Sequence, residues 1–240
     1  MQHSSSRQAP AQKIVPFGQS LSSSQSLSFG LAIGVLLSFW SASTAVGHLL
    51  TAINVAYDEH DTRPWYRKRA IALAVTVGAV VFVAAAVFSV VVLPELISRT
   101  GLGVDVQRWL RWAIWPGLAI GFGFSLAVLY RIAPDRQAPR WRWVSVGSVA
   151  AVLAWLALTF GFRVYVANFA SYNETYGSLS AVVVLMLWLW FTAVIVLVGA
   201  ELNAEAEHQT AIDTTIGPVQ PIGERRAVKA DSIGPARGAG

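Results

Sequence analysis

The densest group of potential metal ligands in the sequence is the run Asp58-Glu59-His60-Asp61. Carboxylates and imidazole bind divalent metal ions, so this run is the first candidate for chemistry. The other histidines, His3, His48 and His208, are scattered, the chain has no cysteine, and no HExxH or related zinc spacing occurs. Basic residues follow the run directly and would neutralise it. We interpret it as a solvated loop and predict neither a metal site nor a cofactor.

Other catalytic patterns are weaker still. Gly121-Phe122-Gly123-Phe124-Ser125 resembles part of a nucleotide-binding loop, but it lies inside an apolar run, and GxxxxGK[ST] occurs nowhere in the chain. No serine, histidine and acid can be singled out as a nucleophilic triad. We therefore predict that the protein is not an enzyme.

The elements that carry these residues belong in a membrane. Hydrophobic residues make up 55% of the chain and charged residues only 13%, a balance too apolar for an ordinary soluble domain. The net charge of +5 would otherwise suggest a nucleic-acid partner. In a membrane protein, excess Lys and Arg is typical of cytoplasmic loops, so we predict contact with membrane lipid and no nucleic-acid binding.

Five apolar segments are long enough to cross a hydrocarbon core of roughly 30 Å. Each should be a helix, because a helix satisfies its own backbone hydrogen-bonding groups in lipid. The sequence thus predicts an all-α, polytopic integral membrane helix bundle at 29–203, after a polar Ser-rich segment at 1–28 and before a disordered cytoplasmic tail at 204–240. The predicted helices cover residues 29–53, 70–93, 110–130, 144–169 and 179–202.

The distribution of Lys and Arg predicts the orientation of these helices. If they alternate across the membrane, twelve of the eighteen basic residues fall on the side that holds the C-terminus. The positive-inside rule makes that side cytoplasmic. An odd number of helices would leave the polar N-terminus outside, so we expect that a preceding transmembrane helix is missing from this chain.

At the predicted cytoplasmic depth, the first, third and fifth segments each bring polar residues to their ends. A charged residue near the bilayer is costly unless it is paired or hydrated, which makes such residues candidates for function. We expect Glu201 to pair with Arg131 or Arg63. The cluster is either a gate or binding site, or a structural ion pair that fixes the helix ends. Its predicted members are Asn54, Tyr57, Arg63, Tyr130, Arg131, Glu201 and Asn203.

A sparser polar cluster is predicted at the outer face. It comprises Arg163, Tyr176 and Gly177, with Arg163 about one and a half turns inside the end of its helix. The cluster could form an anion site at an outer mouth. Alternatively, Arg163 simply extends its side chain toward the headgroups, as long basic side chains do.

Two rows of small residues predict close helix packing. Residues four positions apart lie on one helix face, and small side chains there let a second helix approach. The alternative is that these faces line a substrate path. The rows are Gly30, Gly34, Ser38 and Ala42 in the first segment, and Gly117 and Gly121 in the third.

Taken together and in order, several short motifs are similar to those of the YihY/BrkB family of bacterial inner-membrane proteins. The resemblance covers about residues 29–207. The motifs are Trp40-Ser41-Ala42-Ser43, Asn54 with Tyr57, Thr62-Arg63-Pro64-Trp65 with Arg69, Leu129-Tyr130-Arg131 with Pro134, Tyr176-Gly177-Ser178-Leu179 and Gly199-Ala200-Glu201-Leu202-Asn203.

The resemblance implies a six-helix, multi-pass protein of the bacterial plasma (inner) membrane with both termini in the cytoplasm. From the resemblance we expect the family's first helix to be missing from this chain, which agrees with the charge count. Family members have carried the labels ribonuclease BN and virulence factor, and the residues give no support to a nuclease.

Our leading functional hypothesis is a transporter-like protein that moves or gates a small solute or lipid-like molecule. The alternative is a membrane scaffold that binds envelope proteins, or further copies of itself, through its small-residue faces. A membrane-tethered enzyme is the third reading.

Overall fold

The computed structural model of the protein describes the backbone of residues 17–168 and 178–234, and the side chains of residues 29–167 and 181–234. The described backbone is helical, with one isolated bridge between Pro139 and Thr215 and no strand. The chain divides into two compact units, which are described separately. Unit 1 is Met1–Ala42 and unit 2 is Ser43–Gly240.

Six α-helices and one π-helical turn make up the described secondary structure. Five stretches are long and apolar enough to cross a membrane, which confirms the prediction of an all-α membrane protein with five spans. The π-helical turn, Phe88–Val92, joins α2 to α3 within one of these stretches. The helices are α1 (Phe17–Ala56), α2 (Trp65–Val87), α3 (Leu93–Ser98), α4 (Val104–Ile132), α5 (Trp141–Asn168) and α6 (Ser178–His208).

The helices extend beyond most of the apolar segments that predicted them. The second segment, predicted from residue 70, begins at Trp65, and the fifth, predicted to end at residue 202, continues to His208. Hydropathy marks only the part of a helix that lies in hydrocarbon. The backbone hydrogen bonds of a helix persist equally well through the headgroup region, so the helical boundaries lie further out.

A left-handed residue ends α1. Asp58 has φ 55°, a conformation that aspartate tolerates better than most residues. The N–H of Glu59 then bonds back to the carbonyl of Asn54 at 2.9 Å, and the N–H of Asp58 bonds to that of Val55 at 3.0 Å. This pair of bonds is the Schellman arrangement, which satisfies the last carbonyls of a helix.

The hydrophobic core of unit 2 is concentrated at one end of its helices. We call this the polar end; it comprises the last turns of α1, α4 and α6, the first turns of α2 and α5, and segments 57–64, 133–140 and 209–234. Core residues on α5 extend from Val144 to Ala151, and those on α6 from Val196 to Ala204. At 1.5 Å per residue these stretches are roughly 10–12 Å long, less than half of a bilayer's apolar thickness.

The opposite half of unit 2 is packed differently. It comprises α2 from residue 77, α4 up to residue 122, α5 from residue 152 and α6 up to residue 193. Where it meets the core, four aromatic rings connect α2, α4, α5 and α6. Phe82 stacks on Phe122 with centroids 6.1 Å apart, Phe122 lies 4.9 Å from Trp155, and Trp155 meets Trp188 edge-on at 5.7 Å. The indole of Trp155 also donates to the Thr192 hydroxyl at 3.3 Å.

The prediction of a disordered tail from Ala204 is wrong for the part of that tail that the structure describes. The helix α6 continues to His208, and residues 209–234 fold against the polar end. The guanidinium of Arg225 organises this C-terminal segment by donating to the carbonyls of Ala211, Gln220 and Ala230. Its Pro and Gly content predicted disorder, but buried polar side chains of the segment bond to its backbone groups in place of a helix or a strand.

Two aspartates complete the turns of the C-terminal segment. Asp213 accepts from the N–H groups of Thr215 and Gln220, and Asp231 accepts from those of Gly223 and Arg225. Charge-assisted hydrogen bonds of this kind are about twice as strong as neutral ones. The segment therefore holds its shape without a helix or a strand.

Candidate functional site at the polar end

The loop between α4 and α5 is fixed from one side by Arg63. Its guanidinium donates to Asp135 Oδ1 at 2.9 Å, to the carbonyl of Ala133 at 3.1 Å and to that of Pro134 at 2.6 Å. These carbonyls follow the end of α4, where a helix leaves its last acceptors unsatisfied and carries partial negative charge. Arg63 is thus a cap for α4 supplied by the loop after α1.

Asn54 secures the same loop from inside α1. Its amide donates to the carbonyls of Leu50 and Ala133, and its Oδ1 accepts from the N–H of Asp135 at 2.8 Å. Two of these three hydrogen bonds of Asn54, those with Ala133 and Asp135, therefore hold the loop against α1.

Asp135 is held in its ionised form by the same group of contacts. Burial alone would raise its pKa, but hydrogen bonds from the N–H and hydroxyl of Thr62, each 2.8 Å, and the Arg63 guanidinium outweigh that effect. The net result is a pKa lowered below its ordinary value. The Arg63–Asp135 pair is consequently charged at neutral pH.

A fully buried ion pair joins this loop to α6. The guanidinium of Arg136 binds the carboxylate of Glu207 through two hydrogen bonds, one of them 3.0 Å long from Nη2 to Oε1. The side chains are 1% and 0% exposed. Arg136 also stacks on Tyr57, with Cζ 4.2 Å from the ring centroid. The segment that follows α1, the helix α6 and the α4–α5 loop therefore meet at one guanidinium.

The helices α5 and α6 cross closely next to this ion pair. A Cβ added to Gly147 would collide with the carbonyl of Gly199 and would lie 2.7 Å from Asn203 Cγ. Asn203 accepts from the N–H of Gly147 at 2.7 Å, and Tyr130 donates to the carbonyl of Val196 at 2.8 Å. Close approach is possible here because both residues at the crossing are glycine.

The structure brings five of the seven predicted residues together at the polar end. Asn54, Tyr57, Arg63, Tyr130 and Asn203 all belong to the packed region described above. Arg131 lies at its edge, with Cζ 4.5 Å from the ring centroid of Trp141.

The predicted pairing of Glu201 with Arg131 or Arg63 is wrong. Glu201 is exposed, and Arg63 pairs with Asp135 instead. The buried acid of α6 is Glu207, six residues later and so on another part of the helix surface. The prediction failed because it ended the last helix at residue 202. Within a helix of that length, Glu201 is the one acid near the cytoplasmic end.

The remaining predicted residues are placed as follows. Arg163 is exposed on α5, while Tyr176 and Gly177 lie outside the described residues. An added Cβ would meet no atom within 4 Å at Gly30, Gly34 or Gly117, whereas at Gly121 it would lie 3.3 Å from Phe82 Cε2. Among the glycines with described surroundings, the tightest helix crossing is at Gly147 and Gly199, which belong to neither predicted row of small residues.

The acidic run after α1 contacts basic and backbone groups of the chain. Asp58 pairs with Lys229 at 2.8 Å, Asp61 pairs with Lys68 at 3.5 Å, and Glu59 accepts from the N–H of Val228 at 2.8 Å. Within residues 29–167 and 181–234, no three His, Asp or Glu side chains are grouped so that they could hold a metal ion. The run thus joins α1 to the C-terminal segment.

A signal for the missed residues was present in the sequence. Arg136 lies two residues after Pro134, and Glu207 lies five residues, roughly one and a half turns, beyond Leu202, the last residue of its predicted segment. Extending the predicted α6 to Glu207 would have placed this acid opposite the loop. Gly199 is the one glycine of α6, and the second glycine of α5, Gly161, lies far along the helix from Gly147, so a search for glycines four residues apart passes over them.

The sequence matches the family described as Virulence factor BrkB over residues 7–221. The chain belongs to this family. Among curated proteins, the chain is 29% identical over 181 residues to a Bacillus subtilis (strain 168) protein named "Putative ribonuclease-like protein YfkH", covering 72% of this chain and 64% of that protein. The BrkB assignment confirms the resemblance that the ordered motifs indicated.

Other relatives carry only a membrane-protein name. A UPF0761 membrane protein of Alteromonas mediterranea is 38% identical over 93 residues, covering 35% of this chain and 31% of its own. One from Rhodospirillum centenum is 33% identical over 132 residues, covering 55% and 29%. The matched part of the chain thus spans less than two thirds of each of these relatives. No solved structure matches the chain.

Proposed function

We propose that this BrkB-family protein is a transporter-like protein of the bacterial inner membrane, closed at its cytoplasmic end by the Arg136–Glu207 pair. The cargo class is a small solute or a lipid-like molecule. The single observation that carries the proposal is the buried bidentate ion pair between the α4–α5 loop and α6.

The cost of burying two charges supports a role beyond stability. Desolvating an ion pair consumes several kcal/mol per ion, and well-packed apolar residues would often serve a fold as well or better. An ionisable residue within a membrane span is a candidate for function by default, and Glu207 lies in the last turn of the fifth span. A pair that joins separate helices is also a contact that can be made and broken as those helices move.

The uneven packing of unit 2 supports the same proposal. Core residues fill the polar end, whereas the opposite half is joined mainly through aromatic contacts. A transporter that is closed on one side of the membrane and open on the other has dense packing at the closed end and sparse packing at the open end. The positive-inside distribution of Lys and Arg supports a cytoplasmic location for the closed polar end.

The test is flux through purified protein in proteoliposomes. A fluorescent phospholipid with external dithionite reports lipid-like cargo, and an entrapped small dye reports solutes. We expect Glu207→Gln to raise one of these fluxes at least about tenfold, because breaking a buried pair costs about 3–5 kcal/mol. Glu205→Gln is the matched control, since Glu205 is exposed two residues earlier on α6. Fluxes equal to empty vesicles for all three proteins would contradict the proposal.

A scaffold role is the second candidate, favoured by the open row of small residues in unit 1. Positions Gly30 and Gly34 would admit a Cβ with no atom inside 4 Å. Such a face suits a helix from an envelope protein or a second copy of this chain. If this is the function, Gly34→Leu abolishes co-purification of a cross-linked partner, while Glu207→Gln leaves it intact.

A further inference from the structure

Arg131 differs from the other arginines that are at least partly buried in the described residues. Arg63, Arg136 and Arg225 donate to carboxylate or carbonyl oxygens, and Arg69 donates to the Thr44 hydroxyl at 3.2 Å. Arg131 has no ion pair and no hydrogen bond to any described residue, and its Nη1 is buried without an acceptor.

The one contact that the Arg131 guanidinium does make is with an aromatic ring. Its Cζ lies 4.5 Å from the ring centroid of Trp141, and Trp141 in turn stacks on Phe124 with centroids 5.9 Å apart. A cation–π contact attracts the charge but leaves the five N–H donors of arginine without acceptors. A strong acceptor from outside the chain would complete this site.

The depth of Arg131 restricts what that acceptor is. It lies in the last turn of α4, one residue before that membrane span ends at Ile132, and Trp141 is the first residue of the next span. Arginine and tryptophan at the ends of spans lie at the level of the lipid headgroups. The acceptor available at this depth in every bilayer is phosphate.

The surface below Arg131 fits an acyl chain. Phe124 and Ile120 precede it on α4 by seven and eleven residues, which places all three on one face of the helix. Their side chains are 62% and 73% exposed. A continuous apolar strip therefore descends from the guanidinium toward the middle of the membrane.

We propose that Arg131 and Trp141 hold the phosphate of an anionic phospholipid, whose acyl chain lies along Phe124 and Ile120. The planar guanidinium matches phosphate with two parallel hydrogen bonds, an arrangement that lysine cannot reproduce. Arg140 and Arg142, which flank Trp141 in the chain, add positive charge and favour a headgroup with net negative charge. The site does not depend on transport, because Arg131 lies at the edge of the packed region and the strip formed by Phe124 and Ile120 is exposed.

The experiment measures phosphatidylglycerol retained by the full chain. Protein is reconstituted in nanodiscs of phosphatidylcholine with increasing phosphatidylglycerol, and lipid carried into the gas phase is counted by native mass spectrometry. Arg131→Gln should weaken retention of one phosphatidylglycerol at least about tenfold, as expected for loss of a charge-assisted hydrogen-bonded pair. Arg67→Gln removes an exposed charge from the same end and should change retention less than about twofold.

Several further arms decide the outcome. Arg131→Lys should retain less lipid than wild type. Trp141→Leu leaves the charge of Arg131 in place and should also weaken retention. These two variants keep the proposal testable if Arg131→Gln fails to fold. Equal losses for Arg131→Gln and Arg67→Gln would overturn the site. Displacement of phosphatidylglycerol by millimolar inorganic phosphate alone would overturn the lipid assignment and leave a phosphate site.

Discussion

The two halves of unit 2 differ in how their helices are held together. At the polar end, side chains from three loops and five helices satisfy one another through buried ion pairs, caps and a glycine crossing. In the opposite half, aromatic contacts and the Trp155–Thr192 hydrogen bond are the main connections described. From this difference we expect the polar end to be the more rigid half and the opposite half to rearrange more readily.

The largest effect should come from removing one partner of the buried pair. Glu207→Leu leaves the Arg136 charge buried without compensation, which costs about 3–5 kcal/mol. The double change Arg136→Leu with Glu207→Leu should be milder than either single change, because it leaves no uncompensated charge. Thermal unfolding of the detergent-solubilised proteins checks this order. A double variant that loses as much as the two singles added together would show that the pair is not coupled.

A glycine substitution at the helix crossing should have the next largest effect. Gly147→Ala places a Cβ against the carbonyl of Gly199 and the side chain of Asn203, so α5 and α6 must separate. Overpacking of this kind costs about 1–3 kcal/mol. Gly161→Ala is the control in the opposite half of the same helix, where an added Cβ would meet nothing within 4 Å. Equal loss of melting temperature for both variants would remove the contrast between the halves.

The C-terminal segment offers a comparison of adjacent arginines. Arg225→Ala removes three hydrogen bonds to the carbonyls of Ala211, Gln220 and Ala230, whereas Arg226 is exposed. A single hydrogen bond to a charged group contributes about 1.5–3 kcal/mol. We expect hydrogen exchange of residues 209–234 to accelerate strongly in Arg225→Ala and little in Arg226→Ala. Unchanged exchange in both would mean that this segment is not held by Arg225.

The residues changed in these variants include some that the sequence predicted and some that it missed. Apolar length correctly gave five spans, because the hydrocarbon thickness of the bilayer sets that length directly. Five residues of the polar cluster followed from their depth. Arg136 and Glu207 did not, because their burial depends on a helix that continues past its apolar segment and on a folded C-terminal segment, and both are tertiary effects.

Acid should weaken the polar end. The pKa of Asp135 is lowered in the folded protein, so its contribution to stability is complete above the ordinary aspartate value of 3.8 and is lost as pH falls through the lower folded value. Unfolding followed from pH 6 to pH 2 should show a drop below about 4 that is smaller in Asp135→Asn. Identical acid profiles for the two proteins would contradict the role of the Thr62 and Arg63 contacts.

The smallest effect is expected in the opposite half. Thr192→Val removes the acceptor of the Trp155 indole while keeping the shape of the side chain. Hydrogen bonds between membrane helices contribute about 0.6 kcal/mol on average, so the melting temperature should hardly change. A loss as large as that of Gly147→Ala would show that this half is as firmly fixed as the polar end.

Cysteine accessibility tests the claim of a closed polar end most directly, because the chain contains no native cysteine. Ser148→Cys places a thiol at a buried position on α5, and Glu224→Cys provides an exposed reference in the C-terminal segment. In vesicles with the polar end facing outward, a membrane-impermeant maleimide should label Glu224→Cys rapidly and Ser148→Cys hardly at all. Adding Glu207→Gln should make the thiol at position 148 reactive. Rapid labelling of Ser148→Cys alone, or continued protection after Glu207→Gln, would contradict closure by the Arg136–Glu207 pair.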